Sequence, residues 1–280
     1  MTSCLGNGEY KYVDKYTYSD CFNVITNLET GESVVRLSPS YEISIDRTDV
    51  NAEITMSSIS LPDVMGALSF KITGLKYTFN SRGNYIIQGY DLVPEGSAGS
   101  YYTFTNLSVI FVDRVFNEGV QRIPAYYINF TINNKYQVNV VGTLNYYFGE
   151  TTVTSAGDEE PYSTYDTYYT VSLDPQSMKA TLGFNSARFS AAMPNALNFT
   201  LREVPFTVTP RGYSIDKADA TTPYLNNTQP NPAFDITNLT IDGVTSKGAT
   251  FTFDCNPKGM GDYHVVAPVE WLIYRPQVEQ

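Results

Sequence analysis

Residues 66–85 read GALSFKITGLKYTFNSRGNY, and residues 195–214 read NALNFTLREVPFTVTPRGYS. Ala67, Leu68, Phe70, Thr78, Arg82 and Gly83 return as Ala196, Leu197, Phe199, Thr207, Arg211 and Gly212, at one constant offset (196 − 67 = 129). Between these anchors Ile72, Leu75, Tyr77 and Phe79 are answered by Leu201, Val204, Phe206 and Val208. Average residue usage gives about one chance identity in such a window. The chain is therefore a tandem duplication, and whatever both copies keep is explained first by the fold they share.

Within the repeat, Leu68, Phe70 and Ile72 alternate at period two, as do Leu75, Tyr77 and Phe79. This is the pattern of a strand with one buried face. The odd step from Ile72 to Leu75 flips the phase, and Leu201 to Val204 flips it again in the copy. That predicts a built-in feature, either a β-bulge or a strand crossing from one sheet surface to another. Asn80 to Asn84 then supplies turn chemistry with a glycine, so each copy should carry a hairpin here. Arg82 and Arg211 precede those glycines and read as solvated turn charges or caps on carbonyls.

Further blocks keep the register. Tyr41 to Asp46 is matched by Tyr169 to Asp174, and Thr105-Asn106-Leu107 by Thr237-Asn238-Leu239. Tyr136-Gln137-Val138 is matched by Tyr263-His264-Val265. Asp46 and Asp174 end strands before polar turns, where an aspartate caps its own backbone. Drift in the offset is absorbed by a breaker-rich loop, Val93 to Ser100, and its longer counterpart Ala218 to Pro232, where insertions cost little. A hairpin is also predicted for Tyr18–Thr26 and Glu32–Leu37 around the polar turn Asn27–Gly31.

The composition agrees: 280 residues suit two domains that bury their own cores, and 23 tyrosines with only 17% charged residues favour strands over helices. The expected fold is all-β, with two tandem homologous domains of about eight strands each, built as a β-sandwich or a calycin-like barrel. The expected boundaries are a tether at 1–9, the first repeat at 10–147 and the second at 148–280. The segment Gly149 to Tyr168 reads as an insertion relative to the first repeat. Trp271 stands where the first repeat has Leu144, which suggests a core position.

A balance of 18 basic and 29 acidic side chains gives a net charge of −11, which repels polyphosphate and excludes nucleic acid as a partner. No apolar run is long enough for a membrane-spanning helix. Cys4 follows Met1-Thr2-Ser3, which resembles the end of a bacterial lipobox, where a cysteine after small residues is lipidated. A Tyr-rich, Asn-rich, acidic tandem-β chain behind such a cysteine resembles the secreted lipoproteins of Bacteroidetes envelopes. The resemblance implies a lipid anchor at Cys4 in the bacterial outer membrane, facing periplasm or medium. Cys21 and Cys255 would meet oxidising conditions there, although sequence cannot supply the short separation a bridge needs.

Catalytic constellations are missing from the sequence. His264 is the only histidine and has Gln137 as its counterpart; no nucleophile or orienting acid is placed by a motif around it. Gly96-Ser97-Ala98-Gly99 has no strand–turn–helix context, and no metal or cofactor motif is present. The reading is a non-catalytic, cofactor-free protein that binds a glycan, a peptide or an envelope protein. The alternative is a calycin-like carrier enclosing a small apolar molecule. Binding is expected in the segment unique to the second half, through Asp158, Tyr162, Tyr165, Asp166 and Tyr168. Tyrosines three apart would line one side of an extended polyproline-like ledge, and the neighbouring carboxylates would accept hydroxyl hydrogen bonds.

Overall fold

The computed structural model describes residues 12–112, 126–155, 160–193, 195–226, 228–256 and 261–271. The described chain is all-β. The first half forms β1 (Val13–Tyr18), β2 (Cys21–Asn27), β3 (Ser33–Leu37), β4 (Ser40–Asp46), β5 (Asn51–Ile59), β6 (Leu68–Phe79), β7 (Tyr85–Gly89), β8 (Phe104–Phe111), β9 (Tyr126–Ile132) and β10 (Tyr136–Gly142). The second half forms β11 (Leu144–Gly149), β12 (Thr151–Ser155), β13 (Tyr162–Thr164), β14 (Tyr168–Asp174), β15 (Lys179–Ala187), β16 (Leu197–Pro205), β17 (Thr207–Thr209) and β18 (Gly212–Lys217). It continues with β19 (Tyr224–Leu225), β20 (Gln229–Pro230), β21 (Ile236–Val244), β22 (Gly248–Cys255) and β23 (Tyr263–Trp271).

These strands make two curled antiparallel sheets. The first has the order β1-β4-β5-β6-β7-β8-β9-β10-β2-β3; the second runs β17-β18-β21-β22-β23-β11-β14-β15-β16-β19-β20, with β12 and β13 attached beside β23. The change of sheet falls between Gly142 and Leu144. In each half the leading strand breaks once and serves both ends of the meander. β1 pairs with β4 while β2 pairs with β10, and likewise β11 pairs with β14 while β12 pairs with β23.

Alternation places the core as the repeats require. Phe70 and Phe199 are both buried, as are Tyr77 and Phe206, whereas Leu68 and Leu197 are both half-buried at the sheet margin. The phase flip is a β-bulge in both copies: the register with β5 shifts between Ala52 and Ile54, and with β15 between Ala180 and Leu182. Gly74 takes φ +69° in one bulge and Glu203 φ +58° in the other. A second duplicated bulge follows at Ser58 and Ser186, with φ +60° and +55°.

The segment 149–168 is not an insertion. Val153 pairs with Tyr162 on one side and Val265 on the other, just as Ile25 pairs with Val34 and Val138. β12 and β13 are thus the second copy of β2 and β3. Their kinship is hidden in the sequence because Glu150 and Thr152 stand where β2 carries Phe22 and Val24.

That exchange marks how the halves meet. β2 is buried on both faces: Cys21 and Ile25 belong to the core of the first half, while Phe22 and Val24, with Val141 of β10, complete the core of the second. Phe22 lies 6.4 Å, centroid to centroid, from Phe206. One strand pair is therefore a wall shared by two cores.

Candidate functional site

The residues that sequence reasoning favoured are not gathered into one ledge. Asp158 and the lipidation candidate Cys4 lie outside the described residues. Tyr162 sits in β13, half-buried against the second core, while Tyr165 is 70% exposed. Tyr168 opens β14 and stacks on Phe148, with centroids 5.3 Å apart and planes at 13°. Asp166 is exposed, and its backbone N–H donates to Thr164 Oγ1 at 3.1 Å. Antiparallel pairing in β12–β13 imposes a two-residue period, so a three-residue spacing does not keep these rings on one side.

Other singled-out residues have structural partners. Asp46 Oδ1 accepts from the N–H groups of Thr48 (3.0 Å) and Asp49 (3.4 Å), and Asp174 accepts from Gln176 N–H (2.9 Å) and Ser177 Oγ (2.7 Å). Both aspartates cap turns, and these bonds hold the Asp174 carboxyl below its usual pKa, with Ser177 contributing most. His264 Nδ1 faces Asp254 Oδ1 at 2.6 Å on the surface. Burial works against the Asp254 carboxylate, but hydrogen bonds from Asn238 (2.7 Å) and His264 leave its pKa lowered. Cys21 and Cys255 are free thiols in separate cores, each pushed up to about 12 by burial, so neither is a reactive thiolate at neutral pH. Among the described residues no three His, Cys, Asp or Glu side chains converge on a metal position. Trp271 is half-buried at the rim of the second core rather than inside it, because its strand runs along the junction of the halves.

That junction holds a groove of about 540 Å³ lined by the β6–β7 turn of the first half and by β21, β22 and β23 of the second. The first-half turn is locally fixed. Asn80 Oδ1 accepts from the N–H groups of Arg82 and Asn84, both at 2.9 Å, and Gly83 at φ +79° closes the loop. Arg82 is thereby aimed across the groove at Glu270, with which it forms an ion pair and a hydrogen bond that raise the pKa of its guanidinium. Beside it Thr245 Oγ1 donates to Asn139 Oδ1 of the first half at 2.8 Å. Arg211, the counterpart of Arg82, instead pairs with Asp242 of its own half at 3.5 Å. Arg82 is a half-exposed turn charge, as expected, and in addition it bridges the halves. Nothing local could reveal this, since Arg82 and Glu270 are 188 residues apart.

The site is thus a mixed-charge groove with one tryptophan at its edge, in a two-sheet all-β chain. Comparison with protein-family models, with curated proteins and with solved structures finds no match for this chain.

Proposed function

We propose that the protein is a non-catalytic binding protein of the bacterial cell envelope, anchored in the outer membrane through a lipidated Cys4, and that its partner is a glycan, a peptide or another envelope protein. The observation that carries the reading is the groove between the halves, which exists only because two copies of one fold abut. The duplicated aspartates and aromatic residues cap turns and pack the cores. Lys247, Glu270 and Trp271 converge on this groove together with Arg82, whose duplicated counterpart Arg211 pairs within its own half instead. We infer further that each half is a closed barrel of about eight strands, as the double pairing of its broken leading strand suggests. The calycin-like carrier would need a void inside such a barrel. Phe104, Phe111, Phe130, Phe184, Phe251 and Phe253 are buried in the two cores, which supports binding at the surface over a carrier.

The test uses the native protein extracted from membranes. Mass spectrometry of its N-terminus should find a lipidated Cys4, and glycan arrays and envelope pull-downs with the same preparation should return a partner that the double variant Arg82→Ala/Trp271→Ala loses. An unmodified Cys4 would remove the anchor, and blank arrays and pull-downs would remove the binding reading.

A further inference from the structure

Resting on that reading, we propose that the groove takes a carbohydrate carrying a carboxylate, with Lys247 meeting the acid and Trp271 lying under the sugar ring. The charge balance points this way. Arg82 is neutralised by Glu270 and Asp242 is paired with Arg211, whereas Lys247 is exposed and has no ion pair among the described residues. Lys247 is therefore the one charged side chain of the groove without an ion-pair partner among the described residues, although the lining as a whole (Arg82 and Lys247 against Asp242 and Glu270) is neutral. A single carboxylate can pair with Lys247 at short range, while a polyphosphate, with several charges, meets proportionally more long-range repulsion from the rest of the molecule.

The backbone that carries each group is fixed before any ligand arrives, with the Lys247 ammonium on its flexible stem. The turn bearing Lys247 is closed by its N–H donating to Val244 O at 2.9 Å, and it is tied down by Thr245 N–H donating to Arg211 O at 3.0 Å. Gly248 follows at φ +143°, and a Cβ there would lie 2.1 Å from Val269 O, so the turn leaves against β23 at a distance only glycine allows. Trp271 is fixed by pairing with Tyr147 in the sheet and by packing against the core. An aromatic face beside a cation, with the Asn80 amide and Ser81 hydroxyl on the opposite wall, matches a sugar acid: a ring to stack, hydroxyls to bond and one negative group. The groove volume lies within the range of small-molecule sites.

Trp271 is the only tryptophan of the chain, so its fluorescence is a single-site probe at the edge of this groove. The full chain is titrated with trisaccharides ending in galacturonate, glucuronate or sialate, each beside its methyl ester, with calorimetry in parallel. At least one acid should change Trp271 emission and bind about tenfold or more tightly than its ester, the gain expected of a hydrogen bond to a charged group. Lys247→Gln should bring the acid down to the affinity of the ester and leave the ester unchanged. Equal binding of acid and ester, or an acid preference that survives Lys247→Gln, would overturn the inference while leaving the binding reading intact. Silence from all three acids, with a partner found on the arrays, would overturn it as well.

Discussion

Tyr41 and Tyr169 occupy the same position in the two copies, are buried to 0% and 1% exposure, and end on different partners. Tyr41 Oη donates to Asn23 Oδ1 at 2.7 Å, whereas the Tyr169 hydroxyl is 2.8 Å from Thr151 Oγ1. A tyrosine fully inside a core is retained for its ring, and its hydroxyl must then find a polar group on the neighbouring strand, since an unpaired one is costly to bury. The two substitutions should differ in cost. Tyr169→Phe leaves a small hydroxyl with room to rotate and should cost about 0.5–1.5 kcal/mol, the net worth of an ordinary hydrogen bond. Tyr41→Phe strands Asn23, whose Nδ2 already has no partner among the described residues, and should cost about 1–3 kcal/mol. Urea denaturation of both variants measures the difference. Equal losses would mean that the Asn23 amide is satisfied in some other way.

At the scale of strands, the sequence shows those features that burial forces on it. Alternation over residues 68–77 and 197–206 predicts the core faces, failing only at the exposed Phe79 and half-buried Val208 that follow. The Ile72-to-Leu75 step predicts a bulge or a sheet crossing, of which the structure has the bulge, because a phase error would turn large side chains into water. The bulge at Ser58 and Ser186 is silent, since a serine at the flip changes no hydrophobic count. β12 and β13 are silent for a related reason. Their outer face covers no second core, so Thr152 and Glu150 replace apolar residues and the duplication fades there. The groove was illegible because its walls come from turns far apart in the chain. The bulge itself gives a clean test, since a Cβ on Gly74 would meet nothing within 4 Å. Gly74→Ala should therefore cost only the left-handed backbone strain, about 1–2 kcal/mol. Glu203→Gly in the other copy should be neutral or stabilise by up to about 1 kcal/mol, because it relieves that strain and loses only a surface ion pair with Lys179. Unchanged midpoints for Gly74→Ala would show that the position tolerates a side chain.

On the scale of the whole molecule, the wall between the cores makes the second half depend on a strand of the first. Hydrogen bonding assigns β2 to the first sheet, yet Phe22 and Val24 are packing residues of the second core. The relation runs one way, because the matching face of the second half carries Glu150, Thr152 and Pro268, none of them suited to enter another apolar core. A lesion at Phe22 should therefore strike the half to which it is not hydrogen-bonded. Phe22→Ala leaves Cys21 and Ile25 in the first core and empties a ring-sized volume beside Phe206, at a cost of about 3–5 kcal/mol for a fully buried phenylalanine. Trp271 reports the second half, since the first has no tryptophan, and circular dichroism follows all strands. The tryptophan-monitored midpoint in guanidinium should fall well below that of the wild type. The dichroism curve should split into an early step that tracks Trp271 and a later one near the wild-type position. An unmoved tryptophan midpoint would mean that the second core closes without the wall, and the two halves would then be neighbours rather than a single packed unit.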